Sequence, residues 1–102
     1  MVRDALEREG FDVATAADGR EALTQLDALD HVCVVLLDLL MPGMNGWDFF
    51  QAFRNRPDAA KIPVVVTSSA PSAAPTGVTR VMQKPIKLDR LLATVREFCA
   101  AA

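Results

Sequence analysis

The chain has 102 residues, 51% of them hydrophobic, with 11 basic and 13 acidic side chains and a formal net charge of −2 at pH 7. That length suits one small domain, 1–102, able to bury a core, and the mixed charge excludes the basic footprint of a nucleic-acid binder. No apolar run approaches the roughly 18 residues of a membrane-spanning helix, and MVRDALEREG carries no signal-peptide stretch, so the expectation is a cytoplasmic protein with neither nucleic acid nor membrane as partner.

In chain order, Val2, Ala5 and Leu6 share one helical face, and Gly10 is placed as the stop. FDVATA, 11–16, reads as a short strand. Asp18 is placed to cap a helix whose Ala22, Leu23, Leu26 and Leu29 lie on one face. His31 follows in a loop, with no second His or Cys spaced to join it around a metal. VCVVLL, 32–37, is apolar throughout, the pattern of a strand buried on both faces, and it ends on Asp38. Asn45 can cap a helix that carries Trp47, Phe49, Phe50 and Phe53 toward the core and ends near Pro57.

PVVVT, 63–67, is another buried strand; SSAPSAAPTG, 68–77, reads as a loop; GVTRVM, 77–82, is a shorter strand. Leu88, Leu91, Leu92, Val95 and Phe98 recur at helical spacing, which predicts an amphipathic helix. Cys33, within a strand, and Cys99, near a helix end, are expected as separate thiols, since two cysteines make no disulfide framework.

Helices alternating with doubly buried strands predict a parallel sheet with helices on its faces. Such sheets bind ligands at the carboxyl ends of their strands. Asp38, Thr67 with Ser68, and Lys84 all fall at strand ends. A carboxylate there can act as a nucleophile toward phosphorus. A hydroxyl can donate to a phosphoryl oxygen, and an ammonium can offset its charge. Phosphoryl transfer normally also uses a divalent metal.

In this order and spacing the chain resembles the receiver domain of bacterial two-component response regulators, over essentially its whole length. The most specific stretch is LLDLLMPGMNG, 36–46; AADGREAL, 16–23, and the Lys84–Pro85 pair add to it. The resemblance implies a flavodoxin-like, three-layer α/β fold with strand order 2-1-3-4-5. It implies Asp38 as phospho-acceptor, Ser68 as switch hydroxyl, Lys84 as phosphoryl contact and a cis Lys84–Pro85 bond. It implies Mg²⁺ held by Asp38, the backbone carbonyl of Leu40 and an acidic pair. It implies a signalling domain rather than an enzyme. The partners would be a sensor histidine kinase or phosphotransfer protein and a downstream protein reached by conformational change.

The sequence also departs from that family. It begins inside the first helix, so the first strand and its acidic pair are absent, which predicts weak or lost Mg²⁺ binding. About four strands would remain. The strands at 11–16 and 32–37 would then pair directly, or borrow a strand across the gap as a homodimer. PSAAPTG replaces most of the fourth helix, Val81 stands where relatives carry an aromatic switch residue, and Lys87 replaces a capping Asp.

Three readings follow. The first is a phosphorylatable receiver. The second is a degenerate receiver that binds a partner without phosphorylation, through Trp47, its flanking helix or the last helix. The third, more remote, is an aspartate-based phosphatase-like enzyme, against which Leu40 stands where a second acid is needed.

Overall fold

The structure, a computed structural model, describes residues 2–29, 31–38, 46–70, 72 and 74–99. In chain order it forms α1 (Val2–Arg8), α2 (Gly19–Ala28), β1 (Val35–Asp38), α3 (Gly46–Arg54), β2 (Val64–Ser68), β3 (Arg80–Gln83) and α4 (Leu88–Cys99), with one 3-10 turn at Ala59–Lys61. The strands pair in the order β1-β2-β3. Both pairings are parallel, running from Val35↔Val64 to Asp38↔Thr67 and from Val65↔Arg80 to Ser68↔Gln83.

Local chemistry sets the helix ends. Gly10, at φ 93°, closes α1 in a left-handed conformation that suits a residue without Cβ. Its N–H donates to the Glu7 carbonyl at 3.0 Å, and Phe11 N–H donates to the Leu6 carbonyl at 3.2 Å, the paired bonds of a Schellman stop. Asp18 caps α2, accepting from Glu21 N–H at 2.9 Å, while Glu21 reaches back to accept from Ala17 N–H at 3.1 Å.

β2 carries the core. Val64 and Val66 join Leu26 of α2, Leu37 of β1 and Phe49, Phe50 and Phe53 of α3 in one buried cluster. Val65 alternates to the other face. Among the described residues, the buried apolar ones outside that cluster are Leu6, Val65, Leu91 and Val95, which assigns α1 and α4 to that second face. Arg96 of α4 pairs with Glu9 just after α1. Arg80 of β3 forks onto Glu97 of α4 at 2.9 and 2.6 Å, and its guanidinium lies 5.1 Å from the Phe98 ring centre.

Several expectations are corrected. Residues 11–16 form no strand, so the described sheet has three strands rather than four. A strand persists only where a neighbour takes its backbone groups. No described strand runs beside this segment, and its Thr15 carbonyl instead accepts from the Gln25 side chain at 3.3 Å. Direct pairing between 11–16 and β1 is therefore not what the chain does. β1 starts at Val35, so Cys33 lies ahead of the strand rather than within it. β3 is likewise shifted along the chain from the 77–82 reading, to Arg80–Gln83.

Trp47, expected in the core, is 36% exposed, and Leu29 and Leu88 also face solvent. Each stands at or next to a helix terminus, where the apolar stripe has run past the layer it covers. Between β2 and β3 the described residues hold no α-helix, as PSAAPTG predicts.

The largest correction concerns the cysteines. Cys33 and Cys99 are joined in a disulfide, with Cα atoms 5.3 Å apart and a separation of 66 in sequence. α4 delivers its last residue to the entrance of β1, a meeting set by the fold that no local spacing encodes. In the chain-entropy account, closing a loop of that size contributes about 4 kcal/mol by restricting the unfolded chain.

Two outcomes test this packing. Phe53→Ala removes a ring only 2% exposed, and should cost about 3–5 kcal/mol in urea unfolding. The hydrogen bond from Arg80, aided by its charge, holds the Glu97 carboxyl below its ordinary range. A depressed folded value means that the pair stabilises the fold above the unfolded carboxylate pKa, and that this contribution is lost as pH falls through the folded value. NMR titration should place Glu97 low in the native chain, and Arg80→Gln should return it to the ordinary range.

Candidate functional site

The parallel register brings three strand ends to one edge of the sheet. Asp38 ends β1 opposite Thr67, and Ser68 ends β2 opposite Gln83. Lys84 follows β3, and its N–H donates to the Ser68 carbonyl at 2.9 Å, carrying the ladder one step further. The Lys84–Pro85 peptide bond is cis, as the resemblance implied.

The side chains of the two outer elements meet across β2. Lys84 Nζ lies 2.8 Å from Asp38 Oδ2. Both are reachable from solvent, the side chains being 45% exposed for Asp38 and 37% for Lys84. Ser68 is buried, and its Oγ accepts from Ala70 N–H at 3.0 Å. The hydroxyl is thus engaged with the loop that follows it, and its own O–H remains a donor. Thr67 is half-buried beside it.

The three residues expected from sequence therefore stand as follows. Asp38 and Lys84 are in direct contact. Ser68 is on the same edge, turned to its own loop. The Leu40 carbonyl and the Asn45 cap lie outside the described residues.

A magnesium ion asks for near-octahedral oxygen coordination. Among the described residues no group of three His, Cys, Asp or Glu side chains gathers to hold a metal, and Asp38 is joined to an ammonium. The described donors do not fit such a site. What this edge supplies is a solvent-reachable carboxylate, a cation held against it and a hydroxyl one strand step away. That set can receive a phosphoryl group and offset its charge.

Sequence reasoning missed a covalent tie at the opposite end of the strand that carries Asp38. The disulfide at Cys33 stands just ahead of the strand that ends on Asp38. The sequence holds no signal for it beyond the presence of two cysteines.

Comparisons with known proteins bear on the family and the fold. A family model described as the response regulator receiver domain matches residues 1–96. The DNA-binding response regulator MtrA of Mycobacterium tuberculosis is 35% identical over 102 residues, covering 94% of this chain and 43% of the relative. The chain thus spans less than half the length of the curated relatives it matches. A crystal structure described as a response regulator from Chloroflexus aurantiacus superposes with a TM-score of 0.85 at 26% identity, covering 98% of this chain and 86% of that one. The receiver domain of a sensor histidine kinase from Pseudomonas aeruginosa, described with magnesium in its active-site cleft, gives a TM-score of 0.83 at 17% identity, covering 95% and 84%. These likenesses make the fold flavodoxin-like.

A half-exposed ion pair contributes little to stability, about 0–1 kcal/mol. Asp38→Asn should accordingly lower stability in urea by no more than about 1 kcal/mol, and a larger loss would contradict this account of the pair.

Proposed function

Because the chain belongs to the response regulator receiver family of two-component systems, we propose that Asp38 accepts a phosphoryl group from a phosphohistidine on a sensor kinase or phosphotransfer protein. One Asp38 carboxylate oxygen attacks phosphorus in line with the departing imidazole. The new O–P bond forms as the P–N bond breaks, and the imidazole nitrogen keeps the bonding pair and takes up a proton. The observation that carries this reading is the 2.8 Å contact between Lys84 and Asp38 across the central strand. The ammonium already sits where negative charge would build up, so it passes from carboxylate to phosphoryl oxygens without a long movement.

Ser68 supplies the response. Its O–H can donate to a phosphoryl oxygen. Turning toward that oxygen releases the Ala70 N–H that it now accepts from. The loop after β2 then moves, and the two arrangements of that loop are the two signalling states. A downstream protein would read the difference.

A second reading rests on two observations. The described residues do not assemble a metal donor set. Trp47 presents an indole at the surface of α3. Together these suit a domain that binds a partner without phosphorylation, with Trp47 as an aromatic anchor.

Intact mass after incubation with acetyl phosphate and magnesium separates the two. The first reading predicts a gain of one phosphoryl group that Asp38→Asn abolishes. Lys84→Ala should retain some uptake while the loop after Ser68 responds less. No gain in the native chain would leave the interaction module as the function.

A further inference from the structure

β1 is held unevenly. Among the described residues it has a ladder partner on one side only, β2. Val35 N–H donates to the Pro63 carbonyl at 2.9 Å, so the backbone groups of Val35 and Leu37 point to β2 while those of the alternate residue Leu36 point away from it. A strand of only four residues has few ladder bonds to hold it and is prone to local release. The entrance of this strand is held by the Val35–Pro63 hydrogen bond and, two residues earlier at Cys33, by the covalent link to α4. α4 is itself fixed by buried Leu91 and Val95 and by the Arg80–Glu97 fork. Asp38 is the far end of the same short strand.

We propose that Cys33 and Cys99 form a reversible redox site, opened by a dithiol reductant, whose oxidation state sets how firmly β1 holds Asp38 at the strand edge. Both cysteines are half-buried, and Cys99 is the last residue of its helix, where the backbone opens first. A thiolate of the dithiol attacks one sulfur of the bridge; a mixed disulfide forms and the other cysteine leaves as a thiolate that takes up a proton. The second thiol of the reductant, deprotonated, then closes the reductant's own disulfide and frees the first cysteine, which is protonated in turn. Two electrons and two protons pass in total from the dithiol to the Cys33–Cys99 pair. The oxidised form is the phosphoryl-accepting one, a consequence that rests on the function proposed for Asp38.

The test uses dithiothreitol as the dithiol, with thiol alkylation, native-state hydrogen exchange and phosphoryl uptake from acetyl phosphate measured on the same samples. Two alkyl groups should add only after reduction. Reduction should speed exchange at the Val35 and Leu37 amides about tenfold more than at amides of β3, the mark of local release rather than global unfolding. Phosphoryl uptake should fall about fivefold on reduction, and Cys33→Ser should show the lower rate with and without dithiothreitol.

Acceleration shared equally by β1 and β3, no acceleration in β1, or alkylation without reductant would each overturn the proposal. Equal uptake by the oxidised and reduced chains would overturn the coupling to Asp38. If the oxidised chain takes up no phosphoryl group while exchange still rises selectively in β1, the redox site stands and the function proposed for Asp38 falls.

Discussion

The parallel ladders on either side of β2 are the constraint on which the site depends. Val65 and Val66 are fully buried, so β2 cannot slide without turning its apolar faces to water. Its register fixes that of both neighbours, and the step from Lys84 to Ser68 extends the order beyond the last paired residues. Asp38 and Lys84 lie on opposite sides of this strand. Two inter-strand spacings come to about 9.6 Å. A long lysine stem from one side and a short aspartate arm from the other close that span to 2.8 Å. A register slip of one residue would leave the ammonium short of the carboxylate.

The weakness of this ion pair suits its proposed role. A deeply buried pair would lock the carboxylate to the ammonium and make any change of partner costly. At the surface the attraction is screened, so the carboxylate remains available to a reactant while the cation stays close. The same exposure explains why the pair adds little to folding. The folding energy resides elsewhere, in the Phe49, Phe50 and Phe53 cluster against Val64 and Val66.

Much of this was legible in the residues. The capping Asp18, the stop at Gly10, the apolar runs of β1 and β2 and the spacing of Leu91 and Val95 each act within a few positions, so local pattern carries them. The meeting of Asp38 with Lys84 was legible because strand ends in a parallel sheet share an edge. Segment 11–16 was not, since FDVATA has a strand's alternation but a strand also requires a neighbour. Trp47 and Leu88 sit on apolar periodicities, yet exposure is decided by how far the packed layer extends. The cysteine pairing depends on where α4 ends relative to β1, a long-range fact with no local trace.

The covalent link also changes how the molecule would bear force. Residues 33–99 form a closed ring, so tension applied to the two ends of the chain passes from residue 33 through the sulfur bridge to residue 99. The bridge takes the 66 steps of chain from residue 33 to residue 99 out of the extensible path, about 230 Å of contour. The three strands and the Asp38 edge lie inside the ring and carry no direct load. Mechanically, α1 and α2 are the elements that tension would peel away, while the bridge shields the sheet behind them.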